Sequence, residues 1–243
     1  MKFMKQLLGF STGGVGGIAG ISERLKFLQT LGCNAVELGY VFMERLTRDP
    51  LEKIDPRLLD GFEWVSLHAP GSVWKYDPND ETSLAALSKI EAFHRRRPLD
   101  LVVFHPDSFP DSDFSILKNI SFPVGIENMD NLKPSFQRPD SLGNVFTNRP
   151  EFGFVLDVNH CFVNDSSLKL AAALLKAFHD RLRQVHVSGF VKLHEPLFQT
   201  KQVEILRAVP TGYPVIIESM CESPQEVRAE WKYVRNVLQS LAR

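Results

Sequence analysis

The stretch Phe152–His160, FGFVLDVNH, decides how the rest of the chain is read. Phe152, Phe154, Val155, Leu156 and Val158 are apolar and mostly β-branched or aromatic, the composition of a buried strand, and Gly153 opens the run. Asp157 and His160 follow three residues apart, where the strand is expected to give way to a loop. Both residue types ligate divalent ions. Other apolar runs end in the same way: WVSLH at His68, LVVFH at His105, VGIE at Glu127, QVHV with His186, and VIIE at Glu218. A parallel barrel gathers the C-terminal ends of all its strands on one face, so this repetition predicts a metal site at the mouth of such a barrel.

The length and composition agree with that reading. At 243 residues the chain is close to the roughly 250 of one (β/α)8 barrel. No linker rich in Gly, Ser and Pro divides it, so residues 1–243 are expected to form a single α/β TIM-barrel domain. The formal charge of -1 supplies no global basic field, which disfavours nucleic acid as partner. Three unpaired-looking cysteines, Cys33, Cys161 and Cys221, suit a reducing cytoplasm rather than a disulfide framework. The start MKFMKQLLGF is too short in its apolar part for a signal peptide, and no apolar run reaches the ~18 residues of a membrane helix.

In chain order, a first strand is expected at residues 7–10, followed by STGGVGG. That glycine-rich run matches neither nucleotide-binding fingerprint and is read as a βα loop. A helix over residues 21–31 and a strand at 34–38 with Glu37 near its end come next, then a short helix within 51–59 broken by Pro56. Strands at 62–68, 101–105 and 122–127 are separated by a helix at 81–97 and a short one around 112–118. Arg95, Arg96 and Arg97 close the first of these as a solvated helix end, where cations suit the helix dipole. Asp140 is expected to cap a further short helix. Helices at 167–179 and 198–209 flank strands at 182–187 and 213–218. The last helix opens with Ser223-Pro224-Gln225-Glu226, a capping box with proline at the first helical position. Strand and helix alternate eight times, the pattern of a closed parallel barrel.

Five of the seven histidines, His68, His105, His160, His186 and His194, fall at strand ends or in the loops that follow. With Glu127, Asp157 and Glu218 they form a mixed imidazole–carboxylate set suited to zinc or manganese. His94 and His179 lie in helices and are read as structural. Glu37 is either a buried hydrogen-bonding partner or a substrate contact. Asp107 reads as a loop or capping residue, Asn128 as a group that orients a ligand, and Trp74 as a seal of the mouth or a stacking surface for a sugar.

The motifs VELG, SLHAP, VVFHPD, GIEN, LDVNH, VHVSG, LHEPL and VIIES occur in an order that resembles the xylose isomerase-like TIM-barrel superfamily, including its endonuclease IV branch (AP endonuclease family 2), over nearly the whole chain. The resemblance implies a shared metal site on Glu127, Asp157, His186 and Glu218. Likeness to endonuclease IV implies a second ion held by His68 and His105, with Glu127 bridging. It also implies a third near His160 and His194. Lys192 stands where that third site has an aspartate, and a cation there disfavours a third ion. Gly71 replaces the aromatic residue with which the endonuclease presses on DNA. Lys192 matches instead a cationic residue of the sugar epimerases that touches substrate oxygen.

One to two divalent ions are therefore expected. The first reading is a sugar or sugar-phosphate isomerase/epimerase: Glu127 and Glu218 move the proton, and Lys192 or His160 stabilises the enediolate oxygen. The second is metal-dependent phosphoester hydrolysis, including cleavage of abasic DNA. The third is a barrel that binds a sugar without turning it over.

Overall fold

The structure is a computed structural model that describes residues 6–71 and 73–241. The leader reading of residues 1–10 lies partly outside these. Eight parallel strands pair in sequence order and close into a barrel. They are β1 (Leu8–Ser11), β2 (Ala35–Gly39), β3 (Trp64–His68), β4 (Leu101–Phe104), β5 (Val124–Glu127), β6 (Gly153–Asp157), β7 (Leu182–Val187) and β8 (Val215–Ile217). β8 returns to β1 through Leu8↔Val215 and Phe10↔Ile217, so no edge is left unpaired.

Alternation along each strand divides the side chains between two cores. Phe10, Leu38, Leu67, Phe104, Phe154 and Val185 belong to the shell between strands and helices. Leu101, Val103 and Val155, with Trp64 packed on them, form a separate small cluster that plugs the barrel. Two residues beyond Val103 is His105, and two beyond Val155 is Asp157. The same inward face that is apolar at the floor therefore becomes ligand-bearing at the mouth.

The helices are α1 (Ile21–Thr30), α2 (Met43–Arg48), α3 (Glu81–Arg96), α4 (Pro139–Asn148), α5 (Val158–Asn164), α6 (Lys169–Phe178), α7 (Leu197–Thr200), α8 (Val203–Arg207) and α9 (Pro224–Leu241). Several depart from expectation. α2 is too short to show a periodic apolar face. The segment 51–59 is two 3₁₀ turns, and β4 and β5 are joined by 3₁₀ turns rather than a helix. α4 is capped by Arg138 with Pro139 at its first position, and Asp140 lies inside the first turn. The expected helix at 198–209 is split because Lys201 takes a left-handed conformation, φ 59°. No loop follows Asp157: α5 begins at once, with the Asp157 side chain as its N-cap. At α9, Ser223 Oγ accepts from Glu226 N at 3.3 Å, while Glu226 reaches back to Glu222 N at 2.7 Å, one residue further than in the standard box.

The run Thr12–Gly17 is a packed turn. Val15 bridges Cys221, Gly16 N donates to Cys221 O at 2.9 Å, and Cys221 N donates to Gly14 O at 3.0 Å. A Cβ on Gly14 would stand 2.3 Å from Ser219 O, so glycine is required by backbone contact with the loop after β8. The arginines that end α3 are engaged locally: Arg96 donates to Glu52 O and Ile54 O, and Arg97 faces Asp60. Among the described residues, no helix is long and apolar enough to cross a membrane.

Glu230 of α9 joins this helix to the mouth. Its buried carboxylate accepts from Leu197 N and Phe198 N at 2.8 Å and from Ser219 Oγ at 2.5 Å. Glu230→Ala would strand two N–H groups at the start of α7 and should lower stability by roughly 3 kcal/mol, measured as a shift in the urea midpoint.

Candidate metal centre

Glu127, the last residue of β5, is fully buried at the centre of the mouth. Its Oε2 lies 3.2 Å from His68 Nε2, at the end of β3, and 3.2 Å from His105 Nε2, just past β4. Its Oε1 lies 2.8 Å from His186 Nδ1 on β7. His186 Nδ1 is also 3.4 Å from Glu218 Oε2, just past β8. Two donor groups result, each with its ligand atoms within 4.8 Å of one another: His68, His105 and Glu127, and Glu127, Asp157, His186 and Glu218. Glu127 belongs to both.

Strand register explains the convergence. Asp157 pairs with His186 across β6 and β7, so adjacent strands deliver neighbouring ligands. Asp157 Oδ1 accepts from His160 N at 2.8 Å, which caps α5 and turns Oδ2 the other way. Oδ2 is buried and has no hydrogen-bond partner. An orphaned carboxylate oxygen facing other ligand atoms is costly unless a cation meets it, so the residues fit a divalent ion. Asn128 holds the same residue from the far side, accepting from Asp157 N at 2.8 Å and donating to Asp157 O at 3.0 Å.

The remaining candidates are placed as follows. His160 is buried, with Nδ1 2.8 Å from Asn128 O and Nε2 3.7 Å from Asp157 Oδ2. His194 stands edge-on to it with ring centroids 5.6 Å apart, and its Nδ1 bonds Ser188 Oγ at 2.8 Å. Lys192 lies exposed on the loop between them, and its N–H donates to the Glu195 carboxylate. A Cβ on Gly71 would stand 2.9 Å from His105 Nδ1, so glycine makes room for that ring. His94 Nδ1 accepts from Leu99 N at 3.0 Å, and His179 is exposed beside Asp180, both structural as expected.

The electrostatics follow from placing carboxylates and imidazoles in a buried mouth. Burial opposes ionisation of Glu127, but His186, His105 and His68 outweigh it and hold the carboxyl well below its usual range. Burial also opposes the charge on Glu218, and His186 reverses the balance. For Asp157 burial prevails over His160, and Glu127 and Glu218 add to it, pushing the carboxyl up to about 7. Burial disfavours the His68 cation, yet the bond to Glu127 raises it to about 9. His186 rises well above its ordinary value against burial, through Glu218, Glu37 and Glu127. Burial lowers His105 and His194, helped by His68 at the first and by His160 at both.

Some contributors were not singled out in sequence. Ser66, Gln184 and Trp64 sit beneath the ligands and join Glu37 in a buried polar layer. Ser66 Oγ and Gln184 Nε2 donate to Glu37 Oε2 at 3.3 and 2.8 Å, and Trp64 Nε1 donates to Gln184 Oε1 at 2.7 Å. Their signal was positional: Trp64 and Ser66 share the face of His68, and Gln184 that of His186. Asp107 ties three loops together, with Lys133 Nζ 3.0 Å and Lys75 Nζ 3.5 Å from its Oδ2. Trp74 packs half-buried against the shell core, in keeping with a seal. A groove of about 720 Å³ between the starts of α4 and α6 contains none of the ligand residues, and its Arg138 and Lys169 are offset by Asp140 and Asp165.

No family model and no curated protein matches the sequence. Solved structures match over nearly the whole chain. A D-tagatose 3-epimerase-like protein aligns at TM-score 0.71 with 16% identity, covering 97% of this chain and 98% of that one. Endonuclease IV from Thermus thermophilus aligns at 0.70 with 19% identity, covering 96% and 99%. A D-psicose 3-epimerase from Clostridium cellulolyticum aligns at 0.64 with 11% identity, covering 96% and 99%. These likenesses show the fold, a closed (β/α)8 barrel like that of the matched structures, as expected from the sequence.

The loop that carries Lys192 is shaped by one carboxylate. Glu195 accepts from the N–H groups of Val191, Lys192 and Leu193 at 2.7–3.2 Å. Burial works against its charge, but these bonds hold it below the ordinary 4.5. A lowered carboxylate contributes stability that is present above its ordinary value and lost as pH falls through the lowered one. The three amide resonances should therefore move together in an NMR acid titration, with a common midpoint below 4.5.

Proposed function

We propose that the protein is a divalent-metal-dependent phosphoester hydrolase whose mouth holds two ions, with Glu127 shared between them. The observation that carries this reading is the engagement of both Glu127 oxygens from opposite sides, by His68 and His105 at Oε2 and by His186 at Oε1. A proton-shuttling epimerase needs its two carboxylates open to substrate. Glu127 has no exposed surface, and its two oxygens are already committed to three histidines. This reverses the order given by the sequence, which set isomerisation first.

Glu127, Asp157, His186 and Glu218 would hold one ion, and His68, His105 and Glu127 the other. Two such ions would supply Lewis acidity at this end of the barrel. The chain's own residues do the rest. Glu218, whose side chain is 15% exposed, reaches the open side of the site and can orient an entering water by accepting its proton in a hydrogen bond. His194, whose Nδ1 bonds Ser188 Oγ at 2.8 Å, would stabilise developing negative charge through Nε2–H, with Ser188 as the donor to Nδ1. Lys192 is exposed on the loop that Glu195 braces, two residues before His194, and would meet an anionic substrate that enters from that loop. The small neutral field of the chain favours a low-molecular-weight phosphoester over duplex DNA.

A second reading, sugar or sugar-phosphate isomerisation on the four-ligand ion alone, is favoured by one observation: Glu218 is a solvent-reaching carboxylate suited to a single base. Similarity in fold to a D-psicose 3-epimerase is compatible with it. A barrel that only binds would keep the ligands and turn over neither class.

Elemental analysis decides between these. Wild-type protein purified without chelator should carry two divalent ions per chain, and His105→Ala one. Hydrolysis of simple phosphomonoesters and phosphodiesters should fall on the order of 100-fold in the variant, the scale on which loss of one charge-stabilising group is felt. One ion in both proteins, with ketose–aldose interconversion retained by His105→Ala, would replace this reading by the second. Glu218→Gln should abolish turnover in either case, read as kcat at saturating metal.

A further inference from the structure

The histidines of the mouth do not present the same atom. His68 Nδ1 lies 3.0 Å from Ala69 O, and His160 Nδ1 lies 2.8 Å from Asn128 O. A carbonyl only accepts, so both rings carry their proton on Nδ1 and offer Nε2. His186 is reversed. Its Nδ1 faces Glu127 and Glu218, and its Nε2 points down into the barrel, 3.1 Å from Glu37 Oε2. Something beneath must hold that ring the other way round.

We infer that Glu37 is a positioning residue that fixes His186 with Nδ1 towards the cluster, and that it does so from a polar layer built into the barrel floor. The inference rests on the metal reading above and adds to it the residue that aims one ligand. Glu37 is fully buried on β2, directly across from Ser66 in the register with β3. Its Oε2 accepts from Ser66 Oγ and Gln184 Nε2 as well as from His186. Gln184 cannot turn to release it, because Trp64 Nε1 donates to the opposite end of the same amide. The carboxylate is thus held by strands on both sides of the ring it supports.

Gln184 also competes for the ring. Its Nε2 lies 2.7 Å from His186 Nε2 and could donate to that atom were it unprotonated. Nδ1 and Nε2 cannot both be bare of a proton in a neutral ring. A ligand ion at Nδ1 therefore leaves the proton on Nε2, where Glu37 is the acceptor and Gln184 is not. Carboxylates that accept from the far nitrogen of a ligating histidine set its tautomer and raise its basicity, and their removal costs roughly 10–100-fold in affinity. Glu37 stands in that relation to His186, although it is 149 residues away in sequence, and it is fully buried.

The test uses zinc alone. Full-length wild type and Glu37→Gln are titrated in competition with a chromophoric chelator, without substrate. The variant should bind its tighter zinc about 10–100-fold more weakly while its urea midpoint stays within the folded range. Equal zinc affinity in the two proteins overturns the inference and leaves the metal reading standing. A wild type that takes up no zinc overturns both. Because Glu37→Gln could unfold the barrel, the wild type gives an independent readout. In 15N-histidine-labelled protein loaded with 113Cd, one histidine should couple to cadmium through Nδ1 and keep its proton on Nε2, while the other ligands couple through Nε2. Coupling through Nε2 at every ligand would overturn the assignment.

Discussion

Four carboxylates, Glu37, Glu127, Asp157 and Glu218, are brought together in the mouth of a closed barrel, and the rest of the site answers to their charge. Three of them are fully buried and Glu218 nearly so, and a buried negative charge must find a cation or take up a proton. The titratable groups show the strain: His68 and His186 are pushed up, Asp157 rises to about 7, and Glu127 and Glu218 are held low. Such a balance is tolerable but leaves Asp157 Oδ2 without a partner. Divalent charge at the same place would satisfy that oxygen and free the imidazoles to act as neutral ligands.

The barrel makes this crowding geometrically cheap. Parallel strands in register end at the same level, and inward side chains recur every second residue. An apolar cluster of Leu101, Val103 and Val155 fills part of the interior, and in the strand register Ser66 pairs with Leu101 and Gln184 with Val155, so the polar layer lies against it. Outside the barrel, single side chains join neighbouring pieces: Asp107 gathers the loops after β3, β4 and β5 through two lysines, and Glu230 ties α9 to the start of α7. α5 has a different part. Starting directly at Asp157, it uses one carboxylate oxygen to accept from the N–H of His160 and so directs the other oxygen inward.

Strand ends were legible in the sequence because two signals coincide there, a run of strand-forming residues and a polar terminator. Glu127, Asp157 and His186 could be placed from that alone, as could His68. Short connections were not legible. α2 spans six residues, too few for a periodic face, and α7 and α8 are divided by a left-handed Lys201 that no turn residue announces. The floor of the site was hidden for another reason. Alternation puts Gln184 on the face of His186, but it does not tell which buried polar group of another strand meets it. Only closure brings β2 and β7, distant in sequence, to the same ring.

That closure bears on what the site can do. A carboxylate that carries protons must change partners during turnover, and a carboxylate pinned by three histidines resists such change. Glu127 is pinned from β3, β4 and β7, and His186 is itself held from below by Glu37, so the restraint extends through the wall of the barrel. Glu218 differs: it meets His186 at 3.4 Å and retains an open side. The mouth therefore pairs one rigid, shared carboxylate with one that faces the solvent. A carboxylate held on both oxygens is suited to staying in place, and one with an open side to exchanging partners.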